Sequence, residues 1–143
     1  MEPIIRAGET YTLPHKMDKK AAIEYWQCEA HEVFVAEENG DIVGTYFLQA
    51  NQQGGGGHVA NCGYMTAVTA TGRGVARAMC AHSLDCARER GFRAMQFNFV
   101  VSTNGRAVNL WQRFEFAIVG TLPKAFLHPT LGYVDAYIMY RNL

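Results

Sequence analysis

Apolar positions in this chain recur with two different periods, and each change of period marks an element. Asp18 can cap a short helix running to about Trp26, with Met17 before it and Ala21, Ala22 and Tyr25 on its inner side. VFVAEENGDIVGTYFL reads as two apolar runs around Asn39-Gly40, the signature of a hairpin. After the glycine-rich QQGGGGH at 52–58, HVANCGYMTAV alternates as a strand, with Val59, Asn61, Gly63 and Met65 on one side and Ala60, Cys62 and Tyr64 on the other. From Gly74 the period becomes helical and stops at RERG, where Arg88 and Arg90 suit the negative helix end and Gly91 the position beyond it. FRAMQFNFV predicts another strand. STNGRAVNLWQRF opens with capping residues and places Ala107, Leu110, Trp111 and Phe114 on one helical stripe. Two closing strands, about 116–121 and 133–141, flank a proline-containing loop.

This order predicts an α/β fold with a mixed sheet flanked by helices. The unit at 58–100 is long enough for a crossover joining parallel strands, and its first turn is where a ligand should bind. With 143 residues, 49% hydrophobic and 18% charged, the chain predicts a single domain over 1–143. Thirteen basic and thirteen acidic side chains cancel, which argues against a broad nucleic-acid footprint or a membrane held by charge. The apolar runs are too short to span a bilayer, and the start MEPIIRAGE lacks the order of a secretory signal, so a cytoplasmic location is expected. Cys28, Cys62, Cys80 and Cys86 show no CxxC spacing and read as reduced thiols.

The turn before the central helix, TATGRGVARAMCAH, carries Gly72 and Gly74 where a helix is about to start. Glycines there suggest close approach of backbone to a ligand, and phosphate is the candidate. A P-loop would need lysine followed by Ser or Thr after the second glycine, and GRGVARA has neither. A dinucleotide fingerprint would put its third small residue at Arg77 and its acid near Gln96 or Asn98, which offer no carboxylate. Taken alone, the glycine turn fits equally a turn followed by a tightly packed helix.

Thr71-Gly72-Arg73-Gly74-Val75-Ala76 resembles the pyrophosphate loop of the GNAT acetyltransferases, Gln/Arg-x-x-Gly-x-Gly/Ala, departing at its first position. Downstream, Asn104, Ala107, Leu110 and Phe116 resemble that family's NxxAxxLYxxxGF, with Trp111 where many members carry tyrosine and Glu115 where they carry glycine. The resemblance runs from about Glu9 to the end. HVANCGYM, FRAMQFNFVVSTN and LGYVDAYIMYR are similar to the branch acting on small amino and imino acids, the azetidine-carboxylate type. The family's usual first strand and helix have no counterpart before Met1. Either the sequence begins after them, or a sheet edge is left for a partner or the terminus to cover, and a homodimer is then expected.

What the resemblance implies is an N-acetyltransferase that moves an acetyl group from acetyl-CoA directly to the amine of a small amino-acid-like or imino-acid-like molecule. Acetyl-CoA, the implied cofactor, lies in this family where two central parallel strands splay apart. Met65, Thr66, Ala67 and Val68 would offer backbone to the pantetheine, and Gly72, Arg73, Gly74, Val75 and Ala76 would hold the pyrophosphate, with Arg73 and Arg77 adding charge. Asn104 is a helix N-cap by its position and, by resemblance, also contacts the pantetheine or the acetyl carbonyl. Trp111 lacks the titratable proton of the family's tyrosine acid, which leaves Tyr64 and Tyr133 as replacements.

Asn61 and Asn98 interrupt apolar strands, so each is expected either buried with partners or lining a cavity; facing one cleft, they could bind a zwitterionic amino acid. Glu32, Glu37, Glu38, His58 and His128 are the available bases, although a solvated face accounts for the acids and a turn for His128. His82 and Cys86 share a helix face, but no second pair completes a metal site. Two rival readings use the same cofactor loop: a peptide or protein N-acetyltransferase with an open groove, and an acyl-CoA-binding module without chemistry.

Overall fold

The computed structural model describes residues 1–143. Two helices open the chain, α1 (Glu2–Ala7) and α2 (Lys19–Trp26), followed by strands β1 (Glu32–Glu38), β2 (Asp41–Ala50) and β3 (Val59–Thr66). Helix α3 (Val75–Glu89), strand β4 (Ala94–Val101), helix α4 (Gly105–Arg113) and strands β5 (Ala117–His128) and β6 (Gly132–Asn142) complete it. The strands form a six-stranded sheet in the order β1-β2-β3-β4-β6-β5. β1, β2 and β3 pair antiparallel, whereas β3 and β4 pair parallel, registered at Val59↔Ala94 and Ala60↔Met95. The mixed sheet flanked by helices is the architecture expected from the sequence. No helix is long and apolar enough to cross a membrane.

The chain divides into two compact units, one comprising Met1, Asp18–Met95 and Asn142–Leu143, the other Glu2–Met17 and Gln96–Arg141. In the first, β2 is buried on both faces because a helix packs on each. Trp26 of α2 donates its indole N–H to Thr45 at 3.0 Å and meets Phe47 edge-on at 5.0 Å. On the opposite face Gly44 admits α3: a Cβ there would lie 2.8 Å from Val75 Cγ1 and 2.9 Å from Met79. The capping reading of Asp18 holds, its carboxylate accepting from Ala21 N at 2.8 Å. The Asn39-Gly40 turn joins β1 to β2 with both residues at positive φ, 53° and 88°.

In the second unit, Phe97 of β4 stacks on Phe116 at 4.3 Å and contacts Trp111 of α4 at 5.0 Å. Trp111 is buried, as its place on the apolar stripe predicts. Two expectations are corrected here. The segment 122–132 is not a loop: β5 continues to His128, and only residues 129–131 turn. Pro123 cannot donate to a ladder, so the register slips between Leu122 and Phe126, and the displaced Lys124 N–H donates instead to the Asp135 carboxylate at 2.8 Å. Second, α1 precedes the helix read at Asp18; its six residues bury only Ile5, too little to show a period.

Candidate active site

The first candidate region is the turn between β3 and α3. Gly72 and Gly74 both take left-handed backbone, φ 82° and 85°, and a Cβ at either would meet nothing within 4 Å. Gly74 is the α3 N-cap, and no side chain caps the helix there. The amides of the first turn, at Val75, Ala76 and Arg77, are the donors that a helix cannot satisfy internally, and Ala78 N already bonds the Gly74 carbonyl at 2.9 Å. Unfilled space over two left-handed glycines, beside uncapped N–H groups at the positive end of a 15-residue helix, is a cradle suited to a pyrophosphate.

The flanking residues are more committed than the sequence suggests. Ala67 donates to Val43 O at 2.8 Å and accepts from Ala70 N at 2.9 Å, so its backbone holds the turn itself. Met65 is buried, Thr66 ends β3, and the Val68 side chain is exposed. Arg73 ion-pairs with Glu38, and Glu32 takes Arg90, which removes both acids from the list of free bases.

Tyr64 lies on the α3 face of β3. Its hydroxyl donates to Ser83 Oγ at 2.7 Å, and Ser83 in turn donates to Cys80 O at 2.8 Å. Burial raises its phenol well above the ordinary value. A phenol so held makes a structural hydrogen bond and is a reluctant acid. Burial likewise pushes the neighbouring Cys62 thiol up to about 12, and Cys80 and Cys86 are also buried. Alkylation of the folded protein at about pH 8 should therefore modify Cys28, the exposed thiol, and spare the other three until denaturant is added, as peptide mass mapping would read. His82 is hydrogen-bonded to the Tyr46 hydroxyl at 2.6 Å and touches Cys86 Sγ at 3.6 Å, a clip between β2 and α3.

The two asparagines differ. Asn61, in the first unit, is buried, and its carbonyl accepts from Gln49 Nε2 at 3.4 Å. Asn98, in the second, is exposed rather than buried, and its carbonyl accepts from Gln96 at 2.8 Å.

The second unit contains a hollow of about 210 Å³ lined by Glu9, Thr10, Thr103, Asn104, Arg106 and His128. Asn104 caps α4 as expected, its Oδ1 accepting from Ala107 N at 3.3 Å. Arg6 donates to the carbonyls of His15 and Met17, which folds the segment carrying Glu9 and Thr10 back over the end of α1. His128 Nδ1 accepts from Thr130 N at 3.2 Å and Leu131 N at 3.3 Å, so the turn after β5 fixes its ring. Sequence reasoning singled out Asn104 and His128 here but not Glu9, Thr10, Thr103 or Arg106, which come from segments distant in the chain. One local signal was present: Arg106 is a cation in the first turn of a helix, the wrong end for its charge.

The sequence model of the Acetyltransferase (GNAT) family matches residues 3–116. The chain belongs to the GNAT family. Its similarity therefore begins before Glu9 and includes α1. An N-acetyltransferase from Schizosaccharomyces pombe, aca1, is 28% identical over 151 aligned residues, covering 94% of this chain and 72% of that protein. Among solved structures, a GCN5-related N-acetyltransferase from Kribbella flavida superposes with a TM-score of 0.93 at 42% identity, covering 99% of this chain and 87% of that one. The acetyltransferase yncA from Salmonella typhimurium, solved with its cofactor acetyl-CoA, shares the fold with a TM-score of 0.83 at 20% identity, over 99% of this chain and 83% of its own. This GNAT protein is an acetyl-CoA-dependent N-acetyltransferase.

Proposed function

We propose that this enzyme transfers the acetyl group of acetyl-CoA directly to the amine of a small amino-acid-like or imino-acid-like acceptor. The observation that carries the cofactor half is the uncapped α3 N-terminus behind Gly72 and Gly74. When bound, acetyl-CoA supplies the acyl group as a thioester. The N–H groups around Gly72 to Ala76 would hold its pyrophosphate, Met65, Thr66 and Val68 would offer backbone to the pantetheine, and Asn104 would orient the acyl end with the amide nitrogen its capping bond leaves available. Arg73 adds its charge only after parting from Glu38, so Arg77, exposed in the first helical turn, is the readier cation.

The acceptor half draws support from the polarity of the interior. Asn61 and Ser83 are the buried polar side chains, and no carboxylate, ammonium or guanidinium is buried with them. A polyamine would call for acidic walls, whereas neutral amides suit a zwitterion, donating to its carboxylate and accepting from its nitrogen. We assign Asn61 and Asn98 to contacts with that acceptor.

Mass-spectrometric detection of acetylated product tests the reading, with acetyl-CoA and a panel of imino acids, amino acids, polyamines and short peptides. The expected outcome is product from imino or amino acids and none from polyamines. Product from peptides alone would replace the small-acceptor reading with an open-groove one. Acetyl-CoA bound without any product would favour a binding module.

A further inference from the structure

His31 immediately precedes β1, and its two ring nitrogens are unlike. Nδ1 lies 3.0 Å from the Trp26 carbonyl, which can only accept, so Nδ1 carries the proton. Nε2 is then the lone-pair nitrogen of the neutral ring. It takes no hydrogen bond within the chain, and because no buried side-chain nitrogen or oxygen lacks a partner, it opens to solvent. The ring stacks on Phe47 at 3.8 Å and 4°, and Tyr25 meets it edge-on at 6.0 Å. A half-buried imidazole of fixed tautomer thus presents a lone pair in a fixed direction, which is what proton transfer to a positioned side chain requires.

Strand register sets this nitrogen near the acceptor contact. β1 and β2 pair Glu32↔Leu48 and Val33↔Phe47, so His31, one residue earlier, falls beside Gln49, and Gln49 pairs with Asn61 of β3. Alternation puts His31, Phe47, Gln49 and Asn61 on the face that Trp26 of α2 covers. With neighbouring strands about 4.8 Å apart, two steps separate His31 from Asn61 by about 10 Å, enough for one small molecule above Gln49. The titratable groups around the ring do not compete for its proton. Burial raises the Tyr25 phenol and so keeps it neutral, Glu24 of α2 pairs with Lys20, Glu32 pairs with Arg90, and Cys28 and Glu29 in the preceding turn are exposed.

We infer that His31 is the general base of this enzyme, its Nε2 taking the proton that an ammonium acceptor must lose before its nitrogen can attack. The inference rests on the reading that places the acceptor against Asn61, and it supplies the base which that reading lacks. Near neutral pH the acceptor arrives as an ammonium, which has no lone pair to offer. One proton passes from it to Nε2, the neutral ring becomes imidazolium, and the imidazolium returns the proton to water after turnover. Acetylation of an ammonium releases one proton overall, so the balance closes without a further reactant.

Two measurements test this. The first needs no turnover: imidazole nitrogen NMR of the ligand-free protein at about pH 8 should show His31 with a protonated Nδ1 and a bare Nε2. A protonated Nε2 would overturn the inference. The second is the pH dependence of kcat/KM for whichever amine is acetylated, in wild type and His31→Asn. Asparagine keeps an N–H for the Trp26 carbonyl but is no base, so melting and acetyl-CoA binding should stay near wild type while kcat/KM falls about 100-fold or more at about pH 7. Free amine grows about tenfold per pH unit, so the deficit should shrink as pH rises. A deficit equal at every pH, or no deficit, would overturn the base and leave the small-acceptor function standing. Product from peptides alone would remove the small-acceptor reading, and the same profile would then decide the base on a peptide amine. No product from any amine would overturn both.

Discussion

Replacing Gly74 by valine should raise the KM for acetyl-CoA by about 10- to 100-fold while leaving the acceptor KM nearly unchanged. The argument starts from backbone. Gly74 sits at φ 85°, where an L side chain is strained by about 1–2 kcal/mol, and a β-branched one by more. The new side chain would also enter the open space over the N-terminus of α3, where the phosphates are to lie. Two losses would therefore coincide, of helix stability and of anion binding, and the valine variant alone cannot apportion them.

Gly74→Asn separates them. Asparagine adopts left-handed backbone readily and is among the best N-caps, so the fold should keep its thermal midpoint. Its side chain would nevertheless cap the amides that the pyrophosphate needs. A rise in acetyl-CoA KM with unchanged melting would place the anion site at this turn. Wild-type KM in both variants would return Gly72 and Gly74 to the role of a simple tight turn.

The turn itself was legible from sequence because two glycines stand immediately before a helical period, and both take left-handed backbone. Other elements were legible for similar local reasons: Asp18 and Asn104 cap the helices they precede, and Gly91, at φ 79°, ends α3. Pro123 misled in the opposite direction. A proline normally argues against a strand, but here a register slip and the Asp135 carboxylate absorb its missing donor, and the strand resumes at Phe126. The proline-containing loop expected between the closing strands was lost with that reading.

Side-chain destinations were less legible still. Alternation along β3 put Tyr64 and Asn61 on opposite faces, but it could not say that Ser83 would meet the phenol, or Gln49 the amide. On β4 it could not say that Asn98 would face water. The hollow of the second unit draws on residues 9–10, 103–106 and 128, and no spacing rule joins segments so far apart. Only the misplaced charge of Arg106 hinted at it.

Asn104 offers the most demanding test of the site, because its structural and chemical roles can be pulled apart. Its Oδ1 caps α4 through Ala107 N, and truncation of such a cap costs about 1 kcal/mol. Its amide nitrogen is the group assigned to the acyl end of the cofactor. Removing a donor that steadies a developing oxyanion typically lowers kcat by about 100- to 1,000-fold. Asn104→Ala should show both effects. Asn104→Ser keeps a competent cap but withdraws the nitrogen donor, so its melting temperature should stay near that of the wild type while kcat falls as far as in the alanine variant. Serine restoring kcat along with stability would reduce Asn104 to a capping residue, because activity would then follow the helix rather than the amide.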